Sequence, residues 1–285
     1  MTSNSRRVQV ALLLTALFTA VEVAGGIVTG SLALLADAGH MLTDTMALAL
    51  AAVAFRVSSR PADRKRSFGY QRFQILAAFV NGLCLLGIVG WILFEAAARL
   101  MSPPAVEAGG MLAVASAGLL VNIVVFLILH GGDRDNINMR GAALHVLGDL
   151  LGSVAAIVAA LVILGSGWTP IDPLLSVAVA MLIMRSAWHL VQRSAHILLE
   201  GTPEWLDVPA MQAAIVDRVP AVSGIHHVHV WGLTQQDLML TMHVELADDG
   251  PEPIESLRSI KSILRHDYGI RHSTIEVERA GCADR

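Results

Sequence analysis

Two histidine–aspartate pairs lie within apolar parts of this sequence. His40 and Asp44 are four residues apart in one apolar stretch, and His145 and Asp149 have the same spacing in a later one. Residues four apart share one face of a helix, so each stretch offers an imidazole and a carboxylate side by side. The two segments repeat each other as Ala-x-His-x-Leu-x-Asp, which suggests two related halves.

If the two pairs come together, they supply two nitrogen and two oxygen ligands. A four-ligand set of this kind without sulfur suits tetrahedral Zn²⁺, with Cd²⁺ or Co²⁺ as alternatives. Ionisable side chains at membrane depth are costly, so each is a candidate for function. The alternative is that each pair forms a local hydrogen bond at a helix interface. The match between two separate segments favours the metal site.

The segments that carry these pairs are long and apolar. Of the 285 residues 54% are hydrophobic and only 15% are charged, and the mean hydropathy is +0.60. Soluble domains have about a quarter of their residues charged, so a fully soluble enzyme and a disordered chain are excluded. A membrane-spanning helix needs about 20 mostly apolar residues. The stretches that qualify predict six helices, at 8–30, 32–57, 73–97, 109–130, 139–165 and 171–198.

The first of these stretches could be read as a secretory signal peptide, because Arg6 and Arg7 precede an apolar run. The run continues through Ile27 and Val28 into the next apolar stretch, so we predict a helix that is retained. Four further polar residues within the predicted spans are expected to make hydrogen bonds between helices rather than to bind metal: Glu22, Asn81, Glu95 and Asn122.

Basic residues are distributed unequally between the two sides of the predicted helices. One side receives only Arg99, and the other receives Arg6, Arg7, Arg56, Arg60, Arg64, Lys65, Arg66, Arg72, Arg134, Arg140 and Arg193. Loops rich in Lys and Arg stay in the cytoplasm. The pattern predicts a multi-pass protein of the cell (inner) membrane with both termini in the cytoplasm.

The last part of the chain has a different composition, and acidic residues outnumber basic ones there. We predict a transmembrane domain over residues 1–199 and a small cytoplasmic α/β domain over 200–285. The latter is predicted to have helices at about 207–219 and 253–267, and alternating strands at Gly224–Leu233, Asp237–Leu246 and Ser273–Glu278.

Other classes of function fit the sequence less well. The basic footprint expected of a nucleic-acid-binding protein is missing, and two cysteines, Cys84 and Cys282, make a disulfide framework improbable. An intramembrane metalloprotease would need His-Glu-x-x-His, and a di-iron oxidase would need His-x-x-His clusters; the sequence has neither. A metal sensor with a membrane anchor stays as an alternative, although six spans with paired ligands exceed the needs of an anchor.

Several motifs together resemble one transporter family. The segments in question are Ser31–Asp44, Ser67–Arg72 followed by Ile75–Ala78 and Asn81-Gly82, His145-x-x-x-Asp149, Gly201-Thr202-Pro203 and His226–Trp231. In this order they resemble the cation diffusion facilitators, which transport zinc and other divalent metals, and the likeness extends over nearly the whole chain.

This resemblance implies a fold, a function and a set of partners. It implies a bundle of six transmembrane helices with a ferredoxin-like, metallochaperone-like cytoplasmic domain, assembled as a homodimer in the lipid bilayer. The implied activity is export of Zn²⁺ in exchange for protons, as an antiporter and not an enzyme, without an organic cofactor. The transport site would be formed by His40, Asp44, His145 and Asp149. Histidine at the first of these positions accompanies zinc preference, with Cd²⁺ and Co²⁺ left open as additional substrates.

The resemblance also implies metal ligands in the cytoplasmic domain. The residues at the matching positions are His226, His243, His272, Glu276 and Glu278. Such a site would act in sensing or dimer stabilisation; the alternative is that these are solvated strand side chains.

The sequence departs from the family pattern at two places near the third span. The loop Arg64–Tyr70 has no histidine or acid, so no second metal site is expected there. Gln74 replaces an acid common in the family, whereas Arg72 is still expected to pair with Glu200 or Glu204.

Overall fold

A computed structural model of the chain describes residues 3–130, 137–247, 252–279 and 282. Side chains are described for the same residues apart from 3–9, 12, 44, 47, 48, 51, 52, 129, 130 and 137–148. Asp44 and His145 of the predicted transport site are therefore placed by their backbone alone.

Six long helices form the first part of the chain. They are α1 (Ser3–Thr29), α2 (Leu32–Ser58), α3 (Arg72–Met101), α4 (Ala108–His130), α5 (Ile137–Ser166) and α6 (Ile171–Leu198). Four stretches of described residues are long and apolar enough to cross a membrane: Arg72–Met101, Ala108–Ile128, Asp149–Ser166 and Ile171–Leu198. In α1 and α2 the apolar stretches are shorter, Leu13–Thr29 and Leu32–Thr43. The helical transmembrane fold is confirmed, and crossing of the membrane by α1 and α2 stays a prediction.

A tight junction separates α1 from α2. Gly30 has a φ of +72°, a backbone conformation that side chains with a Cβ rarely adopt, so a glycine suits this position. The carboxylate of Asp172, in the first turn of α6, accepts hydrogen bonds from the backbone N–H groups of Leu32 and Ala33. These N–H groups belong to the first turn of α2 and have no partner inside that helix. The start of α2 is thus fixed to the start of α6.

Small side chains line the packed faces of α4 and α5. Ala115 of α4 and Ala156, Ala159 and Ala160 of α5 are fully buried in one apolar cluster. Small residues let the backbones of membrane helices approach closely, and close packing replaces the hydrophobic effect as the source of stability there. The packing holds α5, which carries Asp149, in a defined position.

The last part of the chain is a small sheet with two helices. Its elements are α7 (Val208–Arg218), β1 (Val222–Gly232), β2 (Leu238–Leu246), α8 (Pro253–His266) and β3 (His272–Glu278). The sheet order is β1-β2-β3, with β1 and β2 antiparallel and β2 and β3 parallel. Among the described residues this is the ferredoxin-like succession βαββαβ without its first strand. The predicted α/β fold is confirmed, and each element begins and ends within about two residues of its predicted bounds.

The core of this part is built from both helices and the sheet. Leu240, Met242 and Val244 alternate along β2 and are buried, and Ile260 and Leu264 of α8 are buried in the same cluster. The central strand is therefore held on one face by apolar packing. Thr241, His243 and Glu245 point to the opposite face, because successive strand side chains alternate.

The chain separates into two compact units. One comprises residues 1–52 and 80–191, and the other comprises residues 53–79 and 192–285. The second unit therefore includes the last residues of α2 and α6, the first residues of α3 and the loop between α2 and α3. The functional division at 199/200 stays a prediction.

Candidate functional site

One residue from each predicted histidine–aspartate pair meets inside the helical unit. His40 of α2 and Asp149 of α5 approach with Nε2 and Oδ1 3.9 Å apart, and the Asp149 side chain is only 5% exposed. Two ligands of one tetrahedral zinc ion lie about 3.4 Å apart, given bonds of about 2.1 Å. The observed separation is close to this value. Asp44 and His145 lie one helical turn away on the same two helices, and their side chains are outside the described residues.

A second buried carboxylate lies beside this pair. Asp37, 2% exposed, accepts a long hydrogen bond of 3.4 Å from Ser153 Oγ, which in turn accepts one of 3.2 Å from Asn122 Nδ2. A methyl group at Gly152 would collide with Oδ1 of Asp37, so glycine is required for this approach. The chain of polar groups links α2, α4 and α5 next to the candidate site, and it confirms the interhelical hydrogen bond predicted for Asn122.

Glu22 of α1 behaves differently from the prediction. Its side chain is 0% exposed, yet neither carboxylate oxygen has a hydrogen-bond partner among the described residues. It packs against α4, where a Cβ at Gly118 would lie 2.8 Å from Oε1. A buried carboxyl group without partners is costly, and the sequence gives no sign of this, because Glu22 and Asn122 have the same kind of apolar neighbours.

Four of the five residues predicted for the cytoplasmic site lie together on the sheet. Glu278 of β3 is only 6% exposed, and its Oε1 lies 2.8 Å from Nδ1 of His243 while its Oε2 lies 3.0 Å from Nε2 of His226. Oε2 of Glu276 lies 3.7 Å from Nε2 of His243. The register of both strand pairs explains the grouping, because His243 of β2 lies opposite Glu276 in the parallel pair and opposite His226 in the antiparallel pair.

Three further residues join this group. Glu245 Oε1 lies 3.2 Å from Nε2 of His226, and Cys282 Sγ lies 3.7 Å from Nδ1 of His243. His227 and His226 both approach His243, with ring centroids 4.9 and 5.4 Å away.

Strand alternation would place His226 and His227 on opposite faces. The register shifts between His226 and His229, however, and His227 has a φ of +47°. A bulge of this kind re-aims a side chain, which is why alternation alone missed His227. No spacing rule links Cys282 to the sheet, but Glu245 follows His243 at the strand period and could have been found.

His272 is not brought into this group. It lies at the start of β3, where its ring makes an edge contact with Phe68 at a centroid distance of 6.1 Å. Strand residues rise about 3.3 Å each, so His272 is about 13 Å along β3 from Glu276. The structure therefore separates His272 from the other predicted ligands.

Opposing effects act on the carboxyl group of Glu278. Burial raises its pKa, but hydrogen bonding with His243 and Cys282 and the proximity of the two imidazoles outweigh burial and hold the pKa below its usual range. The carboxylate thus stays ionised among nitrogen and sulfur donors. Imidazole, carboxylate and thiolate within a few ångströms form a ligand set that zinc accepts.

Family models match both parts of the chain. The cation efflux transmembrane domain matches residues 8–199, and the cation efflux protein cytoplasmic domain matches residues 210–280. The chain belongs to the cation efflux family. The predicted resemblance to the cation diffusion facilitators is thereby confirmed, and the chain is a multi-pass membrane transporter.

Cation efflux proteins from several bacteria are similar to the chain over nearly its full length. "Zinc transporter ZitB" of Pectobacterium atrosepticum is 50% identical over 99% of this chain and 88% of the relative. "Cadmium, cobalt and zinc/H(+)-K(+) antiporter" of Bacillus velezensis is 41% identical over 98% and 90%. A solved structure, the metal-bound C-terminal domain of the CzcD transporter from Cupriavidus metallidurans, is 30% identical over 26% of this chain and 99% of that one, with a TM-score of 0.24.

Proposed function

We propose that this cation efflux protein exports Zn²⁺ from the cytoplasm in exchange for protons, through a site formed by His40, Asp44, His145 and Asp149. The observation that carries the proposal is the 3.9 Å approach of His40 to Asp149, which joins the two repeated segments at one point. The names of the similar proteins, a zinc transporter and a cadmium, cobalt and zinc antiporter, support it.

The direction of the helices supports the inclusion of Asp44 and His145. Ser31, before α2, is hydrogen-bonded to Asp172 in the first turn of α6, and α5 ends at Ser166, close before α6. Helices α2 and α5 therefore run in opposite directions. Asp44 lies one turn after His40 and His145 lies one turn before Asp149. In antiparallel helices these two positions lie at the same level, on the same side of the observed pair. This is where two further ligands would complete a tetrahedron.

Proton coupling follows from the chemistry of these ligands. Metal binds only neutral imidazole and ionised carboxylate, so protons and Zn²⁺ compete for one site. Imidazole side chains generally gain and lose protons near neutral pH. A modest pH gradient is therefore enough to shift the balance between protons and Zn²⁺ at the site. With the site open to the cytoplasm, Zn²⁺ displaces protons; with the site open to the outside, protons arriving on His40 and His145 release Zn²⁺. Nitrogen and oxygen ligands also accept Cd²⁺ and Co²⁺, which we propose as weaker substrates.

The arrangement in the cell follows from the distribution of charge. We place both termini and residues 200–285 in the cytoplasm, because the loops that they adjoin carry nearly all of the flanking Lys and Arg residues. The protein would act as a homodimer in the inner membrane. Bound cations would draw the acidic C-terminal domains of two copies together.

A second zinc site is proposed on the cytoplasmic sheet. Its central ligands are His226, His243 and Glu278. One carboxylate oxygen of Glu278 lies 2.8 Å from an imidazole nitrogen of His243, and the other lies 3.0 Å from one of His226. Glu276, Glu245, His227 and Cys282 are the neighbouring donors. This site would sense cytoplasmic zinc and stabilise the dimer.

Zinc flux into proteoliposomes under an imposed pH gradient tests the transport site. Asp149→Asn keeps the size of the side chain but removes its charge, and we expect flux to fall at least about 100-fold because one of four ligands is lost. Glu107→Gln is a matched control, because Glu107 is an exposed carboxylate at the start of α4 whose one hydrogen bond to the described residues comes from the nearby Gly110 N–H. Wild-type flux in Asp149→Asn would refute the site. Zinc binding without flux in the unmodified chain would favour a sensor.

A further inference from the structure

The connection between α2 and α3, residues 59–71, carries four exposed cations and a single acid, Asp63. Arg60, Arg64 and Lys65 are exposed, and their side chains make no ion pair in the described part of the chain. Arg66 is also exposed and lies over the ring of Tyr70, with its guanidinium carbon 4.7 Å from the ring centroid. The positive charge of this connection is therefore available to a ligand.

The one acid of this connection, Asp63, is held by hydrogen bonds, and of the four cations it is Arg66 that interacts with its charge. The carboxylate of Asp63 accepts a hydrogen bond of 2.6 Å from the Tyr70 hydroxyl and bonds of 2.7 and 2.8 Å from the backbone N–H groups of Lys65 and Arg66. Asp63 thus closes a turn and holds Lys65 and Arg66 in place. Arg72, nearby, is already paired with Glu200 at 2.9 Å. Lys65 and Arg66 therefore combine an exposed positive charge with a fixed position in the turn.

A cavity of about 430 Å³ opens beside these two residues. Lys65, Arg66 and the Arg72–Glu200 ion pair line its polar part, so the cations there outnumber the acid. Phe68, Phe73, Leu76 and Trp231 line its apolar part. Phe73 and Leu76 belong to the first turns of α3, the helix that crosses the membrane, and Phe68 is 51% exposed. The apolar wall therefore runs into a helix that is long and apolar enough to cross the membrane.

We propose that this cavity binds the headgroup of an anionic phospholipid. The lipid phosphate would lie against Lys65 and Arg66, and the first carbons of the acyl chains would lie along Phe73 and Leu76. Basic residues next to a membrane helix attract anionic lipids, by roughly fivefold in affinity for each charge. A free phosphate would contact the cations but leave the apolar wall exposed to water. A phospholipid contacts both the polar and the apolar part of the cavity. The inference does not depend on zinc export.

Native mass spectrometry of the full chain in detergent tests the proposal. The protein is titrated with dioleoylphosphatidylglycerol and, separately, with dioleoylphosphatidylcholine, and the affinity for the first bound lipid is measured. We expect the wild type to prefer phosphatidylglycerol by about tenfold or more. Lys65→Gln/Arg66→Gln should lower the affinity for phosphatidylglycerol to that for phosphatidylcholine.

Arg60→Gln/Arg64→Gln is the matched control. It removes the same charge from the same connection, but neither residue lines the cavity, so the preference should stay within about twofold of the wild type. Lys65→Gln alone keeps the Arg66–Tyr70 contact and should lose about half of the preference on a logarithmic scale. This single variant separates the loss of a ligand from rearrangement of the turn.

Three results would overturn the proposal. Equal loss in the two double variants would mean that diffuse charge attracts the lipid. Equal binding of both lipids by the wild type would mean that the cavity does not distinguish headgroups. If inorganic phosphate displaces phosphatidylglycerol at equal concentration, the site binds free anions and the apolar wall contributes nothing.

Discussion

The hydroxyl of Ser31 donates a hydrogen bond of 2.7 Å to Oδ1 of Asp172 and so joins the start of α2 to the start of α6. Asp172 is 0% exposed, and its two oxygens also accept the backbone N–H groups of Leu32 and Ala33 at 2.7 and 3.1 Å. Arg99 Nη1 lies 3.9 Å from the same carboxylate. The carboxylate therefore caps α2 from another helix and fixes the end of α2 that lies about two turns before His40.

Replacing Asp172 should destabilise the helical unit. Asp172→Ala leaves three buried donors without an acceptor, each at about 1–3 kcal/mol, so we expect a total loss of roughly 3 kcal/mol or more. Asp172→Asn keeps one acceptor oxygen and should lose less stability. The midpoint of thermal unfolding in detergent measures the effect, with Glu107→Gln as the control at a solvent-exposed helix start, where a loss below about 1 kcal/mol is expected. Equal midpoints for Asp172→Ala and the control would contradict this role.

Replacing Glu22 should lower zinc flux without lowering the stability of the protein. Both of its oxygens are buried without a hydrogen-bond partner among the described residues, so a neutral side chain of the same shape costs less to bury. We expect Glu22→Gln to keep or raise the unfolding midpoint. Ionisable groups inside membrane helices are retained for function, and we therefore expect proton-driven zinc flux to fall by about tenfold or more. A variant with unchanged flux would show that the carboxylate has no part in transport.

Zinc should protect Cys282 from alkylation. Its sulfur lies 3.7 Å from His243 Nδ1, inside the group of imidazoles and carboxylates on the sheet. In a Cys84→Ser background, which leaves one thiol, zinc should slow the reaction of Cys282 with a maleimide about tenfold or more, because metal-bound thiolate is a poor nucleophile.

Two variants separate protection by a shared metal from other effects of zinc. His243→Ala in the same background should abolish the protection of Cys282, since a central ligand is lost. His272→Ala should leave it unchanged, because His272 lies at the far end of β3 against Phe68. Protection that survives His243→Ala would show that Cys282 binds zinc elsewhere or not at all.

The fold could be predicted largely from periodicity. Long apolar stretches predict the six helices, and alternation predicts β1, β2 and β3, because the bilayer and the sheet each impose one regular pattern on side chains. The pairing of Arg72 with Glu200, expected from the sequence, is observed at 2.9 Å. Contacts that depend on a single departure from regularity were not predictable, and the bulge that turns His227 toward His243 is the clearest case.

The sequence predicts the residues of the intramembrane site more completely than those of the cytoplasmic site. Ionisable side chains are costly in apolar helices, so His40 and Asp149 stand out in the sequence, and the structure brings them together. The cytoplasmic residues lie on a half-exposed sheet, where polar side chains cost little. There, strand register decides which residues meet: it selects Glu276 and Glu278 and leaves out His272.

The turn between α2 and α3 should depend on pH through Asp63. The Tyr70 hydroxyl, followed by the N–H groups of Arg66 and Lys65, holds the pKa of the Asp63 carboxyl below its usual range. A lowered pKa means that ionised Asp63 stabilises the turn above its usual titration range, and that this stabilisation is lost as the pH falls through the pKa in the folded state. Tyr70→Phe keeps the ring over Arg66 but removes the strongest of these hydrogen bonds. The pKa of Asp63 should therefore rise toward its usual value in this variant.

Carboxyl carbon NMR of the full chain, labelled at aspartate, measures the titration of Asp63 in the wild type and in Tyr70→Phe. The signal of Asp63 is assigned by its loss in Asp63→Asn. Identical titration of Asp63 in the wild type and in Tyr70→Phe would show that the tyrosine does not hold the turn.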